Sequence, residues 1–443
     1  VTRLHNRRWA ALEDRDREQL RSLLVDALAL AAAGTASEDA RAVLAGLRTV
    51  GGGDVRVPWT DLHLAAPAAV AAMSTLIHAW DFDDTHDEAV VHTASVVVPT
   101  VLAAASIGKA DGKSVVDGLA TGVQVLSRLA RLTGPRTGVI RTAGLGSLAA
   151  AAAAATVWGV PDERIEHAMA LSLGAALAPG TRQAVVDGSV AKRLQPGLAA
   201  QFGFTAAALA AQGVEGPSGW LSGEFGLAPG SDLTIDDLFT GDFEGRWVAL
   251  KPYPACRYTH AALAAAEALH VRHPRWDDVA QVRVHVPEGP AYSLVSRPYE
   301  DRGAPLVDAQ FSIPWQLAAL WVTGRYDLTT LSGDDLRDPA IAAAAARVVV
   351  EQDLPESAVM TGARVEVRAT DGSHSVAEAP MPGADGTSRQ ALARKVESCL
   401  RVAAHPDHAG AVADLEQLAA GLPELDAPSL AAALDRCTVS LLP

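Results

Sequence analysis

The chain is poor in cysteine and in aromatic residues. Its three cysteines, Cys256, Cys399 and Cys437, are odd in number and far apart, and no CxxC occurs in 443 residues. That excludes a zinc ribbon and a local iron–sulfur motif, and it suits a reducing compartment. Aromatics make up only 5%, so most of the core must be small aliphatics. Positive charge is also scarce: 37 Lys and Arg against 52 Asp and Glu leave a formal charge of −15. That argues against nucleic acid or an anionic membrane as a partner, although a few buried lysines can still attract an anionic small molecule. The long apolar stretches are broken by Gly, Pro or charge and read as buried helices. The start, "VTRLHNRRWAALEDRD", has no signal-peptide core, so a cytoplasmic protein is expected. No GxGxxG after a strand, P-loop, GxSxG elbow or HExxH is present, and nothing calls for a nucleotide, a flavin or zinc.

What is there is apolar and helical. Hydrophobic residues make up 49% and the length exceeds one simple core. "REQLRSLLVDALALAAAG" repeats its apolar residues at three and four and stops at Gly34; Ser37 then reads as an N-cap. Further helices are predicted at Leu64–Trp80, Ser95–Ile107, Ser114–Leu132, Leu145–Val157, Asp162–Ala178 and Leu198–Gln212, which makes the first half all-α. Alanine runs such as "LAAAAAAATVWG" favour helix and close helix packing. The texture changes near Phe243. Val282, Val284 and Val286 alternate as a strand, as do Val365 and Val367, with helical patterns between them at "AQFSIPWQLAALWVTG" and "DPAIAAAAARVVVEQ". The expected fold class is mainly α plus α+β. A large helical domain is built from both chain ends, residues 1–249 and 389–443. A smaller α+β lid, residues 250–388, is inserted between them, and pockets favour such junctions.

Three segments carry candidate chemistry. "WDFDDTHDEAVVHTAS" (Trp80–Ser95) packs Asp81, Asp83, Asp84, Asp87 and Glu88 between apolar segments. If the helix ran through Thr85, then His78, Asp81, Asp84 and Thr85 would share a face. A solvated turn, a divalent-metal site and a carboxylate–hydroxyl pair supporting His92 are all open readings. The last is the usual way to orient an acid/base imidazole. In "GSVAKRLQPGLAAQFGF", Lys192 and Arg193 precede an apolar helix, where a cation is disfavoured unless an anion joins it. An ordinary exposed pair is the alternative. In "WVALKPYPACRYTHAAL", prolines hold Lys251, Cys256, Arg257 and His260 on a stiff loop at the domain junction, where the bland reading is a linker with a structural cysteine.

Together, "DFDDTH" with a later His, "KRLQPGLAAQFG", "KPYPACRYTHAAL" and "QFSIPWQLAALW" resemble the MmgE/PrpD family, in this order and over nearly the whole chain. That family includes 2-methylcitrate dehydratase, cis-aconitate decarboxylase and iminodisuccinate epimerase. The resemblance implies a homodimer, a cleft between helical domain and lid, and chemistry with no cofactor and no metal. It implies Asp81, Thr85, His92, Lys192 and Lys251 as active-site residues. Two positions depart from the family's pattern: Cys256 stands where the decarboxylase branch carries a His, and Ile140 stands at the His position of a common Gly-Phe-His.

The reading that follows is a lyase, dehydratase or decarboxylase, that abstracts a proton next to a carboxylate of a small di- or tricarboxylic acid. His92 would move the proton, with Asp81 and Thr85 orienting it. Lys192 and Lys251 would hold carboxylates and developing negative charge, while Arg193, Arg257 and His260 would contact substrate. An epimerase is the alternative. It would use Cys256 as a second base, its thiol pKa lowered by Lys251 and Arg257. A non-catalytic homologue is the second alternative. Asp87 and Glu88 are expected in water.

Overall fold

Alanine and glycine set how closely the first-half helices approach. The computed structural model describes residues 11–176, 180–357, 360–383 and 387–441. Its first helices are α1 (Asp14–Gly34), α2 (Glu38–Thr49), α3 (Ala66–His78), α4 (Ala94–Gly108), α5 (Gly112–Thr133), α6 (Arg141–Val157), α7 (Asp162–Ser172), α8 (Gln183–Val186) and α9 (Ala191–Ala211). Helices α3, α4, α6, α7 and α9 pack on one another, with α5 against α6 and α1 against α3. A Cβ on Gly203 of α9 would lie 2.0 Å from the Ser147 carbonyl oxygen of α6, so the two backbones touch where the glycine sits. Ser37 caps α2 by accepting from the Ala40 amide.

Several boundaries differ from the sequence expectations. The helix expected at Leu64 starts at Ala66 and ends at His78, short of Asp81. Two expected late starts come earlier. Helix α6 begins at Arg141, and α9 begins at Ala191 and runs through Pro196, so Lys192 and Arg193 lie inside its first turn. Residues 177 and 178, the end of another expected helix, lie outside the described residues; α7 itself ends at Ser172. The first half is also not wholly helical. Strands β1 (Gly52–Arg56) and β2 (His63–Leu64) pair, and β3 (Thr85–His86) pairs antiparallel with β4 (Val248–Ala249). Strands this short leave no run of alternation to read.

The second half is built on helices α10 (His260–His270), α11 (Pro290–Ser296), α12 (Pro305–Gln310), α13 (Ile313–Thr323), α14 (Leu328–Ser332) and α15 (Pro339–Ala345). They accompany strands β5 (Val279–Pro287), β6 (Val348–Leu354), β7 (Ala363–Ala369) and β8 (His374–Ala379), in the order β6-β5-β7-β8. Strand β6 is parallel to β5 and the other pairs are antiparallel. Val282, Val284, Val286, Val365 and Val367 are fully buried, and the sheet packs on α10 and α13. "DPAIAAAAARVVVEQ" therefore splits. The alanines form α15, while Val348–Leu354 is a strand, because β-branched residues fit the pleated edge beside β5.

Helices α16 (Arg389–Val402), α17 (His408–Gly421) and α18 (Ala427–Cys437) close the chain, and the first two pack on α1. Among the described residues, no single helix is long and apolar enough to cross a membrane.

Candidate active site

The end of α3 places the first carboxylate. After His78 the chain leaves helical geometry, and Asp81 takes a left-handed backbone (φ 51°) that non-glycine residues adopt at a cost of roughly 1–2 kcal/mol. Its side chain consequently turns into the protein. Pairing of β3 with β4, with Thr85 opposite Ala249, then brings Lys251 to the same point from the far side of the sequence. Asp81 Oδ1 accepts from Lys192 Nζ at 2.5 Å and from Lys251 Nζ at 3.2 Å, and the Asp81 carbonyl accepts from Lys251 Nζ at 2.8 Å. Arg193 Nη1 lies 3.5 Å from the same carboxylate oxygen. All four side chains are buried.

Their ionisation follows from this packing. Burial alone would push the Asp81 carboxyl up. Lys192, then Lys251 and Arg193, outweigh burial and hold it well below the usual carboxylate range. Burial brings Lys192 down to about 8, with Asp81 opposing and Arg193 and Lys251 assisting. The charge of Lys192 in the first turn of α9, unfavourable beside the helix dipole, is thus offset by Asp81.

His92 has its tautomer fixed. Its Nδ1 lies 2.7 Å from the Asp84 carbonyl, which can only accept, so Nδ1 carries the proton and Nε2 has a free lone pair. Thr85 Oγ1 is 3.4 Å from the same Nδ1, and Thr142 Oγ1 accepts from the His92 amide at 3.0 Å. Burial pushes the imidazole down to about 3; Asp83 opposes this, and Lys251 and Lys192 add to it. A second imidazole, His78, is gripped through Nδ1 by Asp83 at 2.8 and 2.9 Å, while its Nε2 accepts from Lys192 Nζ at 3.2 Å. Burial takes it down to about 4. His78, Asp81 and His92 stand close enough together to share a cation, and the Lys192 ammonium already bonds two of the three.

These groups open on a cavity of about 410 Å³. Asp81, Thr85, His92, Lys192, Lys251, Cys256 and Arg257 all line it. Arg193 and His260 do not, contrary to expectation. Arg193 is buried against Gln310 and Asp81. His260 braces the lysine loop, with Nε2 on the Ala255 carbonyl at 3.2 Å and Nδ1 facing Arg257 Nη1 at 3.3 Å. Arg257 reaches the cavity but is engaged by Asp87, with bonds of 2.8 and 2.7 Å, and by the Pro382 carbonyl. Asp87 is therefore a structural partner of the Arg257 loop and not a solvated residue. Glu88 stays largely exposed beside Arg131. Asp81 also does not orient His92; backbone and hydroxyl groups do.

Cys256 departs most from its expected chemistry. Burial pushes its thiol up to about 11, and the Asp81 charge adds to this; Lys251 and Lys192 oppose it too weakly. At neutral pH it is a thiol and a poor base. Cys256→Ser is therefore expected to keep turnover within a few-fold. The native protein should resist iodoacetamide at Cys256 near neutral pH. Rapid alkylation there, with loss of activity, would show a thiolate.

Sequence reasoning missed several participants. Asp84 caps α4, accepting from Thr93 N, Thr93 Oγ1 and Ala94 N, each at 2.7 Å. Gln310 links Arg193 to the Trp80 and Pro254 carbonyls. Lys395 of α16 donates to the Phe82 carbonyl at 2.7 Å and pairs with Asp26 of α1 at 2.8 Å. Arg141, Tyr258 and Tyr292 also line the cavity. The quoted motifs contain Gln310 and Tyr258, but only the fold shows what they touch.

Known proteins are similar to this chain in sequence. Residues 2–231 match the MmgE/PrpD N-terminal domain and residues 253–418 the MmgE/PrpD C-terminal domain. A cis-aconitate decarboxylase from Aspergillus terreus is 26% identical over 381 residues, covering 72% of this chain and 75% of the relative. The cis-aconitate decarboxylase of Homo sapiens is 25% identical over 285 residues, covering 61% of this chain and 58% of the relative. The cis-aconitate decarboxylase-like protein oryM of Aspergillus oryzae is 34% identical over 164 residues, about a third of each chain. With both domain models matched in order along most of its length, the chain belongs to the MmgE/PrpD family.

Proposed function

We propose that the chain is a lyase acting on a small di- or tricarboxylic acid by proton transfer next to a carboxylate. One observation carries this reading. Two lysine ammonium groups from distant segments converge on one buried aspartate, in a cavity that also exposes a neutral imidazole. His92 Nε2 removes the proton from the carbon beside a substrate carboxylate. The electron pair moves onto that carboxylate as an enediolate, whose charge falls on Lys192 and Lys251. Preorganised donors of this kind stabilise the transition state more than the ground state. Collapse of the enediolate expels hydroxide from the neighbouring carbon, which leaves as water with a proton. In the decarboxylation branch an unsaturated acid instead takes a proton from His92 at one alkene carbon, while the C–C bond to a carboxylate breaks; that electron pair forms the shifted double bond and CO2 leaves. An imidazole with so low a pKa is a weak base in the empty site. Substrate carboxylates offset Lys251 and Lys192, two of the groups that hold it down, and so raise its basicity on binding. Names of the relatives favour the decarboxylation branch. The raised Cys256 thiol argues against a two-base epimerase.

The test is incubation in D2O with citrate-like, aconitate-like and aspartate-derived acids, followed by NMR. Alkene formation or CO2 release is expected. Deuterium entering a stereocentre with no bond cleavage would overturn the lyase in favour of an epimerase. No exchange with any acid would count against catalysis.

A further inference from the structure

The cations lining the cavity are unevenly matched. Lys192 and Lys251 share Asp81, and Arg257 is held by Asp87. Arg141 differs. Its Nη1 donates to the Ala89 carbonyl at 2.6 Å. Among the described residues no carboxylate pairs with it, and its other N–H groups have no protein acceptor. It is half-buried, so its charge bears a desolvation cost that no carboxylate offsets, the Tyr258 phenol alone opposing it. Its position is tied to His92 twice. Ala89 lies on the turn that leads into His92, and the next residue, Thr142, bonds the His92 amide. It also opens α6, the helix end that favours negative charge. Val90, Val139, Ile140 and Val185 give the same cavity an apolar part of its wall.

We propose that Arg141 receives a second carboxylate of the substrate, distal to the one between Lys192 and Lys251, so that the site selects acids with two or more carboxylates. For the lysine end this rests on the function proposed above. A guanidinium suits the task because it meets a carboxylate through two parallel hydrogen bonds, while the apolar wall covers the carbon skeleton between the two anionic ends.

The experiment is calorimetric titration of the full chain with tricarballylate, which has no leaving group, and with the monoacid butyrate. Arg141→Gln keeps a donor for the Ala89 carbonyl and removes the charge; Arg141→Met is the second variant. Both should weaken tricarballylate by on the order of tenfold or more and leave butyrate unchanged, whereas Lys251→Met should weaken both acids. Unchanged tricarballylate affinity in the Arg141 variants, with loss in Lys251→Met, would overturn the proposal and leave the lysine reading standing. Equal loss of both acids in the Arg141 variants would also overturn it, as distortion of the site. Selective loss in the Arg141 variants with no effect of Lys251→Met would support it and sink the lysine reading. No tricarballylate binding to the native chain would sink both.

Discussion

Asp81→Asn is expected to destabilise the chain by about 3–5 kcal/mol, the usual cost of leaving a buried charge without its partner. The same change should lower kcat by on the order of 10²–10³. Three buried cations face this one carboxylate, and among the described residues none of them forms an ion pair with another carboxylate. Removing the negative charge leaves them to repel one another at low dielectric, where such repulsion is poorly screened. Lys192, already brought down to about 8, would then deprotonate at still lower pH and lose its hold on an anion. Denaturant unfolding measures the stability change. The double variant Asp81→Asn/Lys251→Met should regain part of the lost stability and none of the activity, since one uncompensated charge is gone but so is an anion donor. If Asp81→Asn were as stable as the native chain, Asp81 would not be setting the charge balance of the site.

His92→Gln should have the larger kinetic effect, a fall in kcat of roughly 10²–10⁴, typical of losing a positioned general base. Glutamine keeps a donor for the Asp84 carbonyl, so the fold should survive. The pH profile distinguishes the roles. The dependence of kcat/KM on pH reports the free enzyme, in which His92 is already neutral down to about 3. No acid limb from an ordinary imidazole near 6.5 is therefore expected. Lys192 carries its charge below about 8 and loses it as pH rises through that value. Attraction for a substrate carboxylate is lost with it, and kcat/KM should fall on the alkaline side. That limb should persist in His92→Gln and move upward in Lys192→Arg. An acid limb near 6.5 that vanishes in His92→Gln would show that burial does not suppress this imidazole.

Much of this site was legible in the residues because reactive types cluster there against the general composition. Five carboxylates in one short stretch, two lysines beside helices and a proline-stiffened loop stand out locally. What they touch does not. The helix face drawn through Asp81 and Thr85 fails because α3 ends at His78, and a two-residue strand pairing takes over. Nothing in the period of the sequence reports so short a ladder. Arg193, Arg257 and His260 have the right chemistry, yet Gln310, Asp87 and the Ala255 carbonyl claim them. Arg141 drew no attention because its helix was expected to start at Leu145. In the second half, alternating valines mark β5 and β7, while β6 is hidden behind an alanine run that belongs to a different element.

The bond from Lys395 to the Phe82 carbonyl bears on how the protein comes off the ribosome. The loop holding Asp81, Asp83 and Asp84 emerges early, but Lys192, Lys251 and Lys395 follow far behind it, the last in α16. Asp83 and Asp84 find partners nearby, in His78 and the start of α4, but until Lys192 and Lys251 arrive, burying Asp81 would mean desolvating a charge without its partners, as it would for Asp26 until Lys395 arrives. Asp81 must therefore wait in water until the segments that carry both lysines have been made, and the Phe82 carbonyl until α16 has. Truncations that remove α16 should leave Asp26 and the Phe82 carbonyl without their donor even though every described cavity-lining residue is present.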